Sequence, residues 1–387
     1  MRFAALPPVR RPVPIRRGRS ATRLSMQRFF GNRPITLYAS GTAALAQALA
    51  RCAARTSVDA PEAILPAYGC PDLVAACAHA SVYPRLVDVA ASGWAYDIDG
   101  LLRSLSSRTV AIVSVNLLGI PDGTPDLADL CQRRGIALIQ DNAQFLPRQP
   151  IEWPGDYVIL SFGRGKPLNL LRGGALVGPI HASVEPMPHR TSASFRDRLI
   201  ASKAAAIAFN VLTRPHPYRL MCLLPGTGLG QVVYKPLLNP SPVSPTHSPQ
   251  VDAAFDQYLR HRSYDRQIWA PALAEWASFG IRALQPPSPS AQPEPLRLTL
   301  LAPDRVARDE ILNRLNHAHL GASRLYGTDL AHVPGIPDVV REQGPFPNAT
   351  ALAESLFTLP THSLVTLRVV RQATECIWEW HGSRGAG

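Results

Sequence analysis

The sequence predicts an α/β protein built around a mostly parallel central sheet. In the centre of the chain, continuous apolar runs of strand length alternate with helical stretches, and polar or glycine-rich turns follow several of these runs. Strands that are apolar on both faces are typical of parallel sheets covered by helices on both sides. Because such sheets bind ligands beyond the carboxyl ends of their strands, the residues that follow each run are candidates for a site.

The apolar and amphipathic stretches also predict the order of elements along the chain. Strands are predicted at residues 35–38, 63–66, 85–89, 110–118, 136–139, 157–162, 173–178 and 296–301. Helices are predicted at residues 43–54, 72–80, 126–134, 194–212, 252–278, 303–319 and 366–379. The stretch 215–249 is dense in proline and glycine, so it is predicted to be a long excursion or linker.

This pattern divides the 387 residues into three parts. Residues 1–33 are an arginine- and proline-rich basic arm, expected to be a mobile tail or an interface strap. Residues 34–248 are predicted to form a large domain around the parallel sheet, with 215–248 as a divergent excursion. Residues 249–387 are predicted to form a smaller α+β domain. A chain of this length usually exceeds one compact core, which favours the two-domain organisation.

The charge balance is strongly basic, with 40 Lys and Arg residues against 28 Asp and Glu residues and a net charge of +12. A positive field favours anionic partners such as phosphates, nucleotides, nucleic acid or an anionic membrane surface, and an arginine-rich codon composition is an equally good explanation. There is no basic stripe interleaved with aromatic residues, so specific binding to nucleic acid is not expected. No window approaches ~18 uninterrupted apolar residues, so no membrane span is expected.

The six cysteines include no Cys-x-x-Cys pair, and no histidine cluster has the spacing of a zinc site. Neither a disulfide framework nor a bound metal is therefore expected. Reduced thiols are typical of cytoplasmic proteins, and the predicted location is the cytoplasm.

Two strand ends carry residues suited to catalysis. Asp141 follows the strand 136–139, and Lys166 follows the strand 157–162 in a glycine-flanked turn. A lysine in this position is a candidate nucleophile, with a solvated loop lysine as the alternative. For Asp141, the alternative is a helix N-cap. The remaining lysines fit less well, because Lys203 lies in an alanine-rich helix and Lys235 precedes a proline.

A further strand end opens a helix with the sequence Ser-Gly-Thr-Ala at residues 40–43. Gly41 permits close approach of a ligand, while the backbone amides up to Ala43 and the hydroxyl of Thr42 suit a phosphate. Ser161, five residues before the candidate lysine, is placed to add a second hydroxyl. An ordinary helix cap is the alternative. A lysine, a carboxylate and a phosphate site are together what pyridoxal 5'-phosphate (PLP) chemistry requires of a protein.

Taken together, these segments resemble the DegT/StrS family of PLP-dependent sugar aminotransferases. The resemblance rests on Ser-Gly-Thr-Ala-Ala-Leu (40–45), Leu-Pro-Ala-Tyr (65–68), Val-Asp-Val (87–89), Asp-Asn-Ala-Gln (141–144), Ser-Phe-x-x-x-Lys (161–166) and Gly-Gly-Ala-Leu-Val (173–177), with an echo at 353–362. The order of these motifs and the 25 residues that separate Asp141 from Lys166 are the specific part.

The resemblance implies PLP-dependent transferase fold type I and a homodimer with active sites at the subunit interface. It implies transfer of an amino group, commonly from glutamate, onto a keto group of a nucleotide-linked sugar. The pathway implied is the biosynthesis of a polysaccharide or a secondary metabolite.

The resemblance also implies roles for individual residues. Lys166 would form the imine with the cofactor and move protons, and Asp141 would pair with the pyridine nitrogen. Gln144 would lie near the ring. The phosphate would be held by residues already singled out at the helix start and the strand end, namely Gly41, Thr42, Ala43 and Ser161.

Three departures from the family pattern affect these expectations. The family places an aromatic residue or a histidine over the ring, whereas Cys70 stands near that place here and Tyr68 lies close by. Asn116 stands where a strand-end histidine is common. The family's Gly-Tyr-Asn-x-Arg segment after the lysine is not recognisable in 215–240, so the substrate is less well defined than the cofactor.

Two alternatives therefore remain beside the aminotransferase hypothesis. The first is a PLP enzyme with a different reaction or a different acceptor, which the divergent segment 215–240 favours. The second is a non-catalytic, degenerate homologue that binds anions, which the net charge of +12 favours.

Overall fold

The computed structural model describes residues 5–14, 26–124, 126–179, 203–224, 231–238, 242–245, 249–260, 266–284 and 295–384. Its helices are α1 (Met26–Phe29), α2 (Gly41–Ala54), α3 (Asp72–His79), α4 (Ile98–Ser104), α5 (Leu127–Arg134), α6 (Lys203–Leu212), α7 (Pro215–Leu223), α8 (Pro249–Arg260), α9 (Ala270–Trp276), α10 (Arg305–His317), α11 (Asp338–Arg341), α12 (Pro347–Ser355) and α13 (Leu367–Arg384). Its strands are β1 (Ile35–Tyr38), β2 (Glu62–Pro66), β3 (Tyr83–Val87), β4 (Thr109–Val115), β5 (Ala137–Asp141), β6 (Tyr157–Ser161), β7 (Gly174–Val177), β8 (Pro242–Pro245), β9 (Arg282–Ala283), β10 (Arg297–Leu301) and β11 (Leu356–Pro360).

The larger sheet of the described chain has the strand order β3-β2-β4-β5-β6-β7-β1-β8. The strands from β3 to β6 are parallel to one another, and β7 runs antiparallel between β6 and β1. The mostly parallel sheet predicted from the apolar runs is therefore confirmed. Parallel order brings the carboxyl ends of β4, β5 and β6 to one edge, which is where Asn116, Asp141 and Ser161 lie.

Helices cover both faces of this sheet. On one face, Leu65 and Val113 pack in a core with α2 and α3. On the other face, Ile64 and Ile112 pack against α4 and α5. Successive residues of a strand point to opposite faces, so strands buried on both sides must be apolar throughout. This requirement explains why the sequences of these strands do not alternate between apolar and polar residues.

A second core surrounds a smaller antiparallel sheet with the order β11-β10-β9. Leu300 and Phe357 of this sheet pack against α10 and α13, where Ile311 and Trp380 are buried. The strand predicted at 296–301 and the helices predicted at 303–319 and 366–379 correspond to β10, α10 and α13. The partner strand β11 was not predicted.

Residues from the predicted small domain, 249–387, pack against the predicted large domain, 34–248. Phe255 of α8 packs edge-on against Phe29, with ring centroids 5.0 Å apart, and belongs to the core beside β6 and β7. Leu330 and Ala353 belong to the core of the large sheet, although both follow β10 in sequence. The division of the chain at residues 33/34 and 248/249 stays a prediction, and these contacts show that the large sheet draws packing from both sides of residue 249.

The stretch 215–249 is not a continuous linker, because it contains α7 and the short edge strand β8, which pairs with β1. The prediction of a linker rested on the density of proline, but both elements accept proline where it occurs. Pro215 occupies the first turn of α7, where a backbone N–H has no partner within the helix in any case. In β8, both prolines lie on an edge strand, where a missing donor costs little. Residues 194–202 of the predicted helix 194–212 lie outside the described residues, as do residues 226–230 and 286–294.

Part of the basic arm is anchored to the rest of the chain. The backbone N–H of Leu6 donates to the carbonyl of His319 at 2.9 Å, and the imidazole Nε2 of His362 lies 2.8 Å from the carbonyl of Pro7. The side-chain amide of Asn169 donates to the carbonyl of Arg11 at 2.6 Å. Residues 5–14 therefore form a strap between the loop that carries Lys166 and the smaller sheet; the rest of the arm before α1 is outside the described ranges.

Candidate functional site

Helix α2 starts at the edge of the large sheet, next to the end of β6. Ser40 caps the helix, because its hydroxyl accepts a hydrogen bond from the backbone N–H of Ala43 at 3.0 Å. A Cβ atom on Gly41 would lie 2.9 Å from Cβ of Ser161, so only glycine permits this approach. The helix start and the Ser161 hydroxyl thus meet in one place, where free backbone N–H groups and the positive end of the helix dipole favour an anion.

Thr42 takes part in a contact that complicates this anion site. Its hydroxyl donates to the carboxylate of Asp72 at 2.9 Å, and both residues line the same cavity. Asp72 lies in the first turn of α3, where the helix dipole stabilises a negative charge. A bound phosphate therefore has to share the Thr42 hydroxyl with a carboxylate.

Asp141 ends β5 and turns into the cavity. Its carboxylate accepts a hydrogen bond from the backbone N–H of Ala143 at 2.9 Å. Burial raises the pKa of Asp141, while the Ala143 N–H and the charge of Lys166 act in the opposite direction. A cation bound against Asp141 would restore the ionised form, because opposite charges at short range favour it.

Neighbouring amides fix the turn after Asp141. The side-chain amide of Asn116 donates to Asn142, and the carbonyl oxygen of Asn116 accepts from the backbone N–H of Asp122 at 2.7 Å. Gln144 accepts from the backbone N–H of Leu118 at 3.2 Å. These bonds tie the loop after β4 to the loop after β5, so the floor of the cavity is held by two adjacent strand ends.

Lys166 lies in a tight turn beyond the end of β6. Its backbone N–H donates to the carbonyl of Gly163 at 3.3 Å, and Gly165 adopts φ +73°, a conformation that favours glycine. The side chain of Lys166 is half-buried and lines the cavity. By contrast, Lys203 and Lys235 are exposed and lie outside the described lining of the cavity.

The structure distinguishes between Cys70 and Tyr68, the two candidates for the residue that covers the cofactor ring. Cys70 lines the cavity, and burial raises the pKa of its thiol to about 12, so the thiol is neutral. Tyr68 is buried behind the wall, where its ring packs edge-on against Tyr326 with centroids 5.6 Å apart. Of these two residues, Cys70 is therefore the one placed to touch a ligand.

Tyr326 is a lining residue that the sequence did not reveal. Its hydroxyl accepts a hydrogen bond from the side-chain amide of Gln144 at 3.1 Å, and burial raises its pKa well above the ordinary value. A backbone hydrogen bond of 2.7 Å from Leu330 to Ala67 brings this segment to the cavity. No local motif signals such a residue, because it lies far along the chain from the other lining residues.

One cavity brings together most of the predicted site residues. Its described lining includes Gly41, Thr42, Cys70, Asp141, Gln144, Ser161 and Lys166, together with Asp72, Asn116 and Tyr326. Ala43 and Tyr68 are buried and do not belong to this lining. An amine, a carboxylate and an anion site within one cavity fit the requirements of PLP.

Comparison with known families gives a match over part of the chain. Residues 18–186 match the model of the DegT/DnrJ/EryC1/StrS aminotransferase family. A UDP-N-acetyl-3-dehydro-alpha-D-glucosamine 3-aminotransferase from Acidithiobacillus ferrooxidans is 31% identical over 151 residues. That alignment covers 38% of this chain and 40% of the relative, so the chain matches well under two thirds of the relative's length.

Solved structures resemble the chain over nearly its whole length. The aminotransferase TlmJ from Streptoalloteichus hindustanus has a TM-score of 0.63 at 18% identity, covering 93% of this chain and 89% of that chain. A putative sugar aminotransferase from Streptococcus pneumoniae, in its PLP-form, has a TM-score of 0.64 at 18% identity, covering 92% and 90%. The predicted α/β architecture of fold type I is confirmed by this likeness.

Proposed function

We propose that this chain, whose residues 18–186 match the model of the DegT/DnrJ/EryC1/StrS aminotransferase family, is a PLP-dependent aminotransferase. The observation that carries the proposal is the single cavity that Lys166, Asp141 and the start of α2 line together. The proposed reaction moves an amino group, from glutamate, onto a keto group of a nucleotide-linked sugar. The name of the Acidithiobacillus relative supports this substrate class.

The lining residues fit PLP in distinct ways. The backbone amides at Gly41 and Thr42 and the hydroxyl of Ser161 would hold the phosphate, because they lie at the positive end of α2. Asp141 would pair with the pyridine nitrogen. When bound, PLP supplies an electron-accepting ring that stabilises negative charge next to the transferred amino group.

Proton handling falls to Lys166 and Asp141. The amine of Lys166 accepts or donates the proton that moves during amino transfer, and its tight turn keeps it at the cavity wall. Asp141 must remain ionised to keep the pyridine nitrogen protonated. Burial raises the pKa of Asp141, whereas the hydrogen bond from the backbone N–H of Ala143 favours its ionised form, as would a pyridinium bound against it.

Other lining residues would orient the ring and its substrate. Gln144 is held by Leu118 on one side and Tyr326 on the other, which fixes its amide at the cavity. Cys70 would lie beside the ring as a neutral thiol, and its small size leaves more room than an aromatic residue would. Tyr68 does not line the cavity and would contribute indirectly, because its ring packs against Tyr326.

We also propose a homodimer in the cytoplasm, active in polysaccharide or secondary-metabolite biosynthesis. The resemblance to the family supports the homodimer and the pathway. All six cysteines are free, which supports a reducing compartment. Within the described residues, no helix combines the length and the apolar character needed to cross a membrane.

A different PLP reaction or acceptor is the second candidate function. The observation that favours it is the segment 215–240, where the Gly-Tyr-Asn-x-Arg motif of the family is not recognisable and α7 lies instead. A non-catalytic homologue is less well supported, because Lys166 and Asp141 share one cavity.

Amino-donor conversion tests the proposal. Purified protein loaded with PLP is mixed with glutamate, and the absorption of the bound cofactor and the release of 2-oxoglutarate are followed together. We expect the visible band to bleach as 2-oxoglutarate appears, and the Lys166→Ala variant to show neither change. Lys203→Ala is the matched control, because this lysine is exposed and away from the cavity.

The outcomes separate the candidate functions. If PLP binds but neither glutamate nor other amino donors convert it, the aminotransferase proposal fails and a different PLP reaction takes its place. If wild-type protein binds no PLP at saturation, the non-catalytic alternative is favoured.

A further inference from the structure

The cavity carries one carboxylate that the proposed reaction does not use. Its described lining contains two acidic side chains, Asp72 and Asp141, and one basic side chain, Lys166. Under the proposed function, Asp141 pairs with the pyridine nitrogen and Lys166 holds the cofactor. Among the lining residues that the structure describes, the charge of Asp72 is then left without a counter-ion.

Asp72 lies at the end of the cavity assigned to the phosphate. Its Oδ2 atom accepts a hydrogen bond from the hydroxyl of Thr42 at 2.9 Å. Thr42 is the second residue of α2, where the free backbone N–H groups form the proposed anion site. Leu45 of α2 and Leu73 of α3 belong to one core, so the packing of the two helices holds the carboxylate in this position.

The hydrogen bond between Thr42 and Asp72 occupies the proton that a phosphate would need. A threonine hydroxyl has one proton to donate, and here it points to the carboxylate. The hydroxyl therefore offers only lone pairs to a phosphate oxygen, which is itself an acceptor. A phosphate monoester carries a charge of about −1.5 to −2 near neutral pH, and a carboxylate at short range repels it.

The charge of Asp72 acts on other groups that line the cavity. Burial raises the pKa of the Cys70 thiol to about 12, and the charge of Asp72 adds to this shift. Burial also raises the pKa of Asp141, and Asp72 again acts in the same direction. Asp72 is therefore close enough to both groups to affect a charged ligand in the same cavity.

We propose that Asp72 lowers the affinity of this cavity for the phosphate group of PLP, so that occupancy of the site follows the concentration of free cofactor. The inference rests on the proposed function, because it concerns the same cofactor. Asp72 takes no part in amino transfer. It acts on the phosphate through its charge and through the hydroxyl of Thr42.

Parallel titrations of the full chain with PLP and with pyridoxal, which lacks the phosphate, test this inference. We expect Asp72→Asn to bind PLP at least about tenfold more tightly than the wild type, because the variant keeps the shape of the side chain and removes the like charge. The affinity for pyridoxal should be nearly unchanged. A gain of affinity confined to the phosphorylated ligand cannot result from damage to the fold.

Asp99→Asn is the matched control, because Asp99 also lies in the first turn of a helix, α4, and is exposed outside the described lining of the cavity. The affinity of this control for PLP should equal that of the wild type. Thr42→Val should weaken PLP binding more in the Asp72→Asn background than in the wild type, because only there is the hydroxyl proton available to the phosphate.

The outcomes distinguish this inference from the proposed function. If the wild type binds PLP and Asp72→Asn binds it equally or more weakly, the inference is overturned and the proposed function stands. The inference is also overturned if the affinities for PLP and pyridoxal rise by the same factor, since the charge would then act on the ring. If neither the wild type nor Asp72→Asn binds PLP, the proposed function fails together with the inference.

Discussion

At the scale of single residues, the approach of Gly41 to Ser161 fixes the geometry of the anion site. A methyl group on Gly41 would meet Cβ of Ser161 at 2.9 Å, and the backbone of Gly41 is itself packed against Gly174. A Cβ at Gly174 would lie 2.5 Å from the Gly41 nitrogen. The helix start therefore has no room to retreat on that side.

The first prediction concerns Gly41→Ala. The added methyl group must push the start of α2 away from Ser161, so the backbone amides lose their alignment on the phosphate. We expect PLP to bind at least about tenfold more weakly, a change of about 1.4 kcal/mol in binding free energy. Titration with PLP, followed by fluorescence, measures the change.

Gly382→Ala is the control for this prediction, because nothing lies within 4 Å of a Cβ at that position. Affinity should be unchanged in Gly382→Ala. Equal PLP affinity in Gly41→Ala and wild type would show that the phosphate is held elsewhere.

The second prediction concerns Asp141→Asn. The amide keeps the shape of the side chain but cannot hold a proton on the pyridine nitrogen by charge. We expect amino transfer to slow by about 10²–10⁴-fold, the range typical of a lost acid–base partner, while PLP still binds. Single-turnover kinetics with glutamate measures the rate. A variant as fast as the wild type would remove Asp141 from the chemistry.

The sequence predicted the site residues on strand ends better than those behind or across the cavity. Asp141, Ser161 and Lys166 follow apolar runs, and parallel order brings such ends to one edge. Tyr326 reaches the cavity through tertiary contacts of a distant segment, which leave no local pattern. The sequence indicates only a helix start at Asp72, because its hydrogen bond with Thr42 depends on how α2 and α3 pack.

At the scale of elements, the strap formed by residues 5–14 ties the lysine loop to the smaller sheet. Val9 lies 3.6 Å from the position that a Cβ on Gly165 would take. At the other end, His362 is buried and its Nε2 faces the carbonyl of Pro7, while its Nδ1 lies 3.4 Å from the backbone N–H of Leu364. Both contacts suit a neutral imidazole with the proton on Nε2.

The third prediction follows from His362. Burial, with Arg10, Arg297 and Arg11 nearby, lowers the pKa of His362 to about 4 against an ordinary value of 6.5, although the bond to Pro7 opposes this shift. The unfolded chain therefore takes up the proton first on acidification. The contribution of neutral His362 to the free energy of unfolding should be complete above pH 6.5. It should fall progressively between pH 6.5 and about 4, by about 3 kcal/mol.

Unfolding free energies measured across this pH range check the prediction. His362→Gln is the comparison, because glutamine can still donate to Pro7 but does not titrate. We expect the difference between wild type and variant to change over this range and to stay constant above it. Parallel curves over the whole range would contradict the burial of a neutral His362.

The prediction of elements failed where proline was read as a signal for loop. The run 215–249 carries enough proline to resemble a linker, but a helix accepts proline in its first turn, and Pro215 and Pro217 both lie at the start of α7. The strand β11 was missed because its residues follow directly on α12 without a turn. Apolar runs in the centre of the chain predicted the ends of their strands to within a few residues.

At the scale of the whole molecule, the large sheet depends on residues from beyond the predicted boundary at 248/249. Val251 and Phe255 fill the core beside β6, and Leu330 and Leu352 fill the core around α2. Removal of these side chains would expose apolar surface that the sheet otherwise buries.

The fourth prediction therefore concerns a fragment. Residues 1–248, expressed alone, should aggregate or expose apolar surface, because the core of the large sheet is incomplete without α8 and the segment around Leu330. Binding of a hydrophobic dye and light scattering measure this outcome, with the full chain as control. A monodisperse fragment with native circular dichroism would contradict this prediction, because it would show that residues 1–248 fold without the rest of the chain.

Borohydride reduction of the PLP-loaded protein, followed by peptide mapping, tests the central claim most directly. The chain contains only three lysines, so the attachment point can be assigned without ambiguity. We expect the reduced cofactor on Lys166 alone, since Lys203 and Lys235 are exposed and away from the cavity. A label on Lys203 or Lys235, or no label at saturating PLP, would contradict the assignment of this cavity as a PLP site.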